Sequence, residues 1–135
     1  MFYRMDNNGA GYEINMDYFN KIDIFKNFDK DMFLTTCIIS GCDYLPSLKG
    51  IGFVKALKLI EEHKTYKKVI KKCKEDPKLD VPSDYKNNYL KALLTFNFQI
   101  VYCPIKKELV HLSNVQGHPL ESKFKKFEDT SFLGK

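Results

Sequence analysis

A chain of 135 residues suits a single domain with a real but modest core. With 44% hydrophobic and 29% charged residues it has the balance of an ordinary globular protein. No apolar run approaches the ~18 residues that a membrane span requires, and the opening MFYRMDNNGAGYEIN lacks the basic-then-apolar pattern of a signal peptide. The net charge of +5 is unevenly spread. Residues 1–43 carry four basic and seven acidic side chains, residues 44–91 twelve lysines against six acids, and residues 92–135 six against four. An acidic start before a basic middle suggests a surface for a polyanion; a solvated lysine-rich face is the plain alternative. Cys37, Cys42, Cys73 and Cys103 have no C-x-x-C spacing, and the three histidines are scattered, so sequence neighbours assemble no zinc site. Cys37 reads as a small core hydrophobe, and nothing demands an oxidising compartment.

In chain order, MFYRMD and GYEINM alternate around Asn7-Asn8-Gly9, which predicts a short β-hairpin. Asn27 or Asp29 can cap a helix with Phe33, Leu34, Cys37 and Ile38 at helical spacing, ended by Gly41. A second helix begins near Gly52, with Val54, Leu57, Leu59 and Ile60 expected on its buried side and Lys55 and Lys58 in solvent. Thr65 opens the lysine-rich helix TYKKVIKKCKED, whose Tyr66, Val69, Ile70 and Cys73 make an apolar stripe, and Pro77 stops it. Ser83 starts a further helix through Tyr89, Leu90, Leu93 and Leu94, with Asp84 in its first turn. FQIVYCPIKKELVHL reads as two short strands joined across Pro104–Glu108, and beyond Ser113 the pattern weakens. The expected class is mainly α: a helix-hairpin-helix (H2TH-type) helical domain with short β-hairpins.

The chemistry is concentrated in Ser40–Ile60. LPSLKGIG between two helices has the form of a helix-hairpin-helix turn. Gly50 and Gly52 permit a tight turn and a close approach to a ligand. The amides that open the next helix then favour an anion, and phosphate is the natural guest. Lys49, Lys55 and Lys58 are spaced to add charge to the same contact, which positions a protein on a backbone without reading sequence. The carbonyls of Leu48 and Ile51 and the hydroxyls of Ser40 and Ser47 are hard oxygen donors for a cation; ordinary capping and turn bonds are the alternative for those serines. Asp43 follows a glycine at the end of an apolar helix. It reads either as a Mg²⁺ ligand or as an Asx-turn or cap. One carboxylate does not make a two-metal site, and Asp29, Asp31 and Asp6 read as helix-start and turn residues.

IISGCDYLPSLKGIGFVKALKLI resembles the corresponding region of the flap endonuclease and exonuclease 1 superfamily of 5′ nucleases. VPSDYKNNYLKALLTFNFQIVYCPIKKELVHL and MDNNGAGYEI resemble the exonuclease 1 branch in particular. The resemblance covers residues 1–113, read as the C-terminal part of a nuclease core with the hairpin at 40–60; residues 114–135 form a poorly matched tail. It implies a Mg²⁺-dependent 5′-to-3′ exonuclease with flap-cutting activity, nuclear, acting in mismatch repair and recombination. Its partners would be double-stranded DNA with a 5′ end, nick or flap, with mismatch-repair proteins possible for the full-length protein and no membrane. By the same resemblance Asp43 falls on a metal-binding aspartate of the active site. Ser40, Ser47 and Ile51 fall on ligands of a potassium ion that bridges protein and phosphate. Most of the family's metal-binding carboxylates lie N-terminal to the matched segment, and Met1 lands within a β-region of the nuclease core, so the expectation is a fragment without catalysis of its own. The alternatives are a non-catalytic DNA-binding or scaffold module and, more weakly, a protein-interaction domain with an acidic partner.

Overall fold

The computed structural model describes residues 2–13 and 15–134. A two-stranded hairpin comes first, β1 (Phe2–Tyr3) against β2 (Tyr12–Glu13), in the register Phe2↔Glu13 and Tyr3↔Tyr12. The Asp6 carboxylate shapes its turn by accepting from the amides of Asn8 and Ala10, both at 2.9 Å. The expected hairpin stretch also takes in Met1 and Ile14, which lie outside the described residues. Two 3-10 turns (Met16–Lys21 and Asp23–Phe25) then place Phe19 and Phe25 in a stack, ring centroids 4.7 Å apart, with Phe33 edge-on to both.

Four helices follow. In α1 (Lys30–Ser40) the cap is Asp29, whose Oδ1 accepts from Met32 N at 2.7 Å, and Gly41 closes the helix at φ +105°. α2 (Phe53–His63) packs against α1 through Ala56 and Ile60, neither of them exposed. The sequence reading put Val54 on that buried side; it is 66% exposed instead. Ala56 and Ile60 are one helical turn apart and share a face, and Val54 is rotated off it toward the hairpin turn.

Lys64, in the left-handed region at φ +62°, ends α2 and leads into α3 (Tyr66–Glu75), which buries the expected Val69, Ile70 and Cys73. Its lysines cost it local stability: Lys67 with Lys71 and Lys68 with Lys72 are like-charge pairs at i, i+4, each worth about 0.2–0.5 kcal/mol against the helix. Burial of the apolar stripe outweighs that, at about 1.5–3 kcal/mol for each large side chain. Cys73 is the buried thiol; Cys37, expected in the core, is half-buried.

α4 (Tyr85–Phe98) is the central strut, burying Tyr85, Tyr89, Ala92, Leu93, Leu94, Thr95 and Phe98. Asp84 precedes it and accepts from Asn88 Nδ2 at 2.8 Å. One edge meets the main core, where the Tyr89 hydroxyl and Thr35 Oγ1 of α1 share a hydrogen bond of 2.9 Å and the Tyr89 ring stacks on Tyr66 of α3. The other edge meets a second, smaller core. After the hairpin β3 (Ile100–Cys103) and β4 (Glu108–His111), paired Ile100↔His111 through Cys103↔Glu108, the chain turns back over α4. The short α5 (Glu121–Phe124) and a 3-10 turn at Ser131–Leu133 then pack Phe124, Phe127, Phe132 and Leu133 around Leu94 and Phe98. The architecture is mainly helical with short β-hairpins, as the sequence predicts.

The two buried tyrosines of α4 differ in one respect. Tyr89 has a hydroxyl partner, whereas the Tyr85 hydroxyl is buried without one among the described residues. Tyr89→Phe is therefore expected to lose about 1–2 kcal/mol in urea unfolding, because Thr35 keeps a buried hydroxyl with no partner. Tyr85→Phe is expected to cost nothing. Burial, with smaller contributions from the Cys73 and Cys42 thiols, pushes Tyr85 from 10.0 up to about 12. The unfolded chain thus gives up this proton before the folded one does, and stability falls as pH rises across that window. In Tyr85→Phe the decline measured from pH 10 to 12 should be shallower than in the wild type.

Candidate nucleic-acid interface

The loop joining α1 to α2 is held from beneath. Leu45, Leu48 and Ile51 are 3%, 5% and 1% exposed, while Pro46, Ser47, Lys49 and Gly50 between them face solvent. An isolated bridge closes its start, Cys42 N donating to Leu45 O at 2.9 Å and Leu45 N to Cys42 O at 3.2 Å. A turn closes its end, Ile51 N donating to Leu48 O at 2.9 Å, with Gly50 third in the turn at φ +83°. That is the arrangement of a type II turn, which favours glycine at this position. Gly52 differs: its backbone is extended at φ −94° and nothing lies within 4 Å of the space a Cβ would occupy. Gly50 makes the turn, and Gly52 keeps the helix mouth open. The three apolar anchors, spaced three apart, went unused in the sequence reading, although their regular interval was visible there.

The N-terminus of α2 is bare. Gly52 supplies no capping oxygen, and the amides of Gly52, Phe53, Val54 and Lys55 have no acceptor among the described residues. α1, by contrast, has its first turn covered by Asp29. The helix dipole and these open amides favour an anion at this end. Lys49, Lys55 and Lys58 are all exposed, and no ion pair engages them among the described residues. Burial holds the Cys73 thiol of α3 above its ordinary value, and the Lys55 ammonium offsets part of that rise.

The serines come together through Gly41. A Cβ at Gly41 would lie 3.1 Å from Ser47 N and 3.5 Å from Ser47 Oγ, so Ser47 is seated against the residue that follows Ser40. Ser40 Oγ donates back to Cys37 O at 2.9 Å, an ordinary helix-terminal bond that leaves its lone pairs free. The Ile51 carbonyl accepts from no backbone amide among the described residues, whereas that of Leu48 is taken by the turn. The oxygens of Ser40, Ser47 and Ile51 are neutral and hard, the kind a monovalent cation takes. They do not suit Mg²⁺, which is held through carboxylates. Asp43 is exposed, caps nothing and closes no Asx-turn among the described residues. Among the described residues no group of three or more His, Cys, Asp or Glu side chains could hold a metal. The residues here do not fit a two-metal centre, and no catalytic step is derived through one.

No protein-family model matches the chain. Its sequence is similar to exonuclease 1 of Oryza sativa subsp. japonica, 39% identical over 137 aligned residues that take in 99% of this chain and 15% of that protein. It is also similar to exonuclease 1 of Danio rerio, 38% identical over 120 residues, with 85% of this chain and 15% of that protein covered. Flap endonuclease 1 of Mycosarcoma maydis is 55% identical over 49 residues, 36% of this chain and 13% of that protein. The chain spans 15% of the length of each of these two exonuclease 1 relatives.

The three glycines of the hairpin should rank by their backbone demands in urea unfolding. Gly50→Ala is expected to cost about 1–2 kcal/mol, the strain of a left-handed alanine. Gly41→Ala should cost more, since it adds a contact with Ser47 N at 3.1 Å to a φ of +105°. Gly52→Ala should cost least, about 0.5–1 kcal/mol through a poorer N-cap.

Proposed function

The sequence match places this chain in the exonuclease 1 and flap endonuclease family of 5′ nucleases, and from that premise we propose that it grips the duplex portion of a structure-specific nuclease's DNA substrate. The observation that carries the proposal is the uncapped mouth of α2. Four open amides follow a glycine turn pinned by buried leucine and isoleucine, and three lysines free of ion pairs among the described residues flank them. A phosphate group meets that arrangement with backbone N–H donors, the positive end of a helix and mobile ammonium charges. Lys49, Gly50, Gly52, Lys55 and Lys58 form the contact. Ser40, Ser47 and the Ile51 carbonyl take a potassium ion beside it, which offsets phosphate charge where no protein cation reaches.

The parent reaction, in this reading, is Mg²⁺-dependent hydrolysis of phosphodiesters from a 5′ end, nick or flap. Asp43 contributes one ligand to a metal site whose remaining carboxylates this chain does not group around it among the described residues. A nuclear location, a role in mismatch repair and recombination, and residues 1–113 as part of the nuclease core belong to the same proposal and rest on the family resemblance. A non-catalytic DNA-binding module is the second reading, favoured by the lack, among the described residues, of any group of three or more potential metal ligands. A carboxylate-rich α/β region in frame with this segment in the genomic sequence decides for the enzyme.

Titration of the chain with a duplex of unrelated sequence is expected to show affinity falling steeply with salt, with no sequence preference and no Mg²⁺-dependent cleavage. Substituting Lys49, Lys55 and Lys58 together by Gln should reduce the slope of log K against log salt by roughly 2–3. Exchange of potassium for a bulky organic cation at equal ionic strength should weaken binding in the wild type but not in Ser40→Ala/Ser47→Ala. A flat salt response counts against the duplex grip, and robust cutting by the purified chain counts against the non-catalytic role of this segment.

A further inference from the structure

We propose that α3 and the first turn of α4 form a second contact for the phosphate backbone of duplex DNA, set apart from the hairpin and extending its footprint. The inference rests on the reading of the hairpin as a duplex grip. A groove of about 240 Å³ lies between the two helices, lined by Lys67, Ile70, Lys71, Lys74 and Lys86. Lys67, Lys71 and Lys74 fall on one face of α3 at i, i+4 and i+7. Lys86 arrives from a separate helix, so the convergence is tertiary and not a by-product of lysine periodicity.

The groove's charge is poorly compensated from within. Of the four groove lysines only Lys71 has an ion-pair partner among the described residues, Glu75 at 3.9 Å, and both side chains are more than half exposed. A pair of that kind contributes little. Two carboxylates of the α3–α4 connection are held by neutral N–H donors and not by the groove's lysines. Asp76 accepts from Lys78 N at 3.0 Å, and Asp84 accepts from Asn88 Nδ2 at 2.8 Å. The floor of the groove is Ile70, 4% exposed, and no other apolar side chain lines it among the described residues. The lysine stems form the rest of its walls, with their ammonium groups free to meet a linear polyanion at intervals.

Position joins this groove to the hairpin. Two residues, Lys64 and Thr65, separate α2 from α3. α2 and α3 also pack against each other. Both helices carry exposed lysines, Lys55 and Lys58 on α2 and Lys67, Lys71 and Lys74 on α3. Contacts of this kind carry no base information, so the second surface adds affinity and salt dependence without sequence preference.

The test compares two variants that remove equal charge from one helix. Lys67→Gln/Lys71→Gln strips the groove; Lys68→Gln/Lys72→Gln strips exposed lysines that do not line it. All four positions are exposed and Gln is a good helix former, so both variants should fold, which circular dichroism checks. With a duplex of about two helical turns, the groove variant is expected to lose roughly tenfold in affinity at physiological salt and about 2 units of salt slope. The control should lose less than half as much, and adding Lys86→Gln to the groove variant should deepen the loss. Equal losses in the two variants would mean that only net charge matters and would overturn the proposal. An unchanged slope in the groove variant would overturn it too. If the wild type binds and Gly50→Val abolishes binding while the groove variant behaves as wild type, this inference alone fails. If the wild type does not bind duplex DNA, the hairpin reading fails and this one with it.

Discussion

Burial of Leu45, Leu48 and Ile51 beneath the α1–α2 loop is the constraint on which the interface depends. Each side chain removes apolar surface from water, and together they hold a stretch with few backbone hydrogen bonds of its own. Because the anchors recur every third residue, the residues between them point outward. A loop tethered this way is rigid where it must meet a ligand, and rigidity lowers the entropy lost on binding. The open amides of α2, the positive-φ turn at Gly50 and the seating of Ser47 against Gly41 all follow from that tether.

The rest of the fold supports the hairpin from behind. α1 and α2 pack together, and α4 braces α1 through the Tyr89–Thr35 hydrogen bond and α3 through the Tyr89–Tyr66 stack. The far edge of α4 is covered by the C-terminal segment through Leu94, Phe98 and Leu133. Movement of α4 would therefore disturb three helices and the second core together. The long lever of that network holds Lys86 in its place beside α3.

Electrostatically the molecule is divided. The acidic N-terminal third provides caps and turns, as at Asp6 and Asp29, whereas the basic middle leaves most of its lysines without partners among the described residues. In α3 the like-charge spacing opposes the helix, so the local sequence there serves something other than helix stability. Asp43 stands outside this division: its backbone lies within the Cys42–Leu45 turn, but its exposed carboxylate caps no helix and closes no Asx-turn among the described residues.

Much of this was legible in the sequence by itself, because it depends on neighbours along the chain. Helical periodicity placed α1 to α4, Asn27 or Asp29 offered a cap of which the fold uses Asp29, Gly41 marked a helix end and Gly50 a tight turn, and Pro104 to Glu108 marked the turn between β3 and β4. The hairpin's glycines and lysines were read from their order alone. Tertiary structure decided what depends on distant residues. It exposed Val54 by choosing Ala56 and Ile60 as the face that meets α1, and it left Cys37 only half-buried. It folded the segment after Ser113 onto α4 although no periodicity announced it, because short 3-10 and single-turn elements bury side chains through packing and not through a repeat. It also carried Lys86 to α3 and, among the described residues, assembled no group of three or more potential metal ligands around Asp43. Local backbone preference is written residue by residue, whereas which surfaces meet is set by the free energy of the whole packed chain.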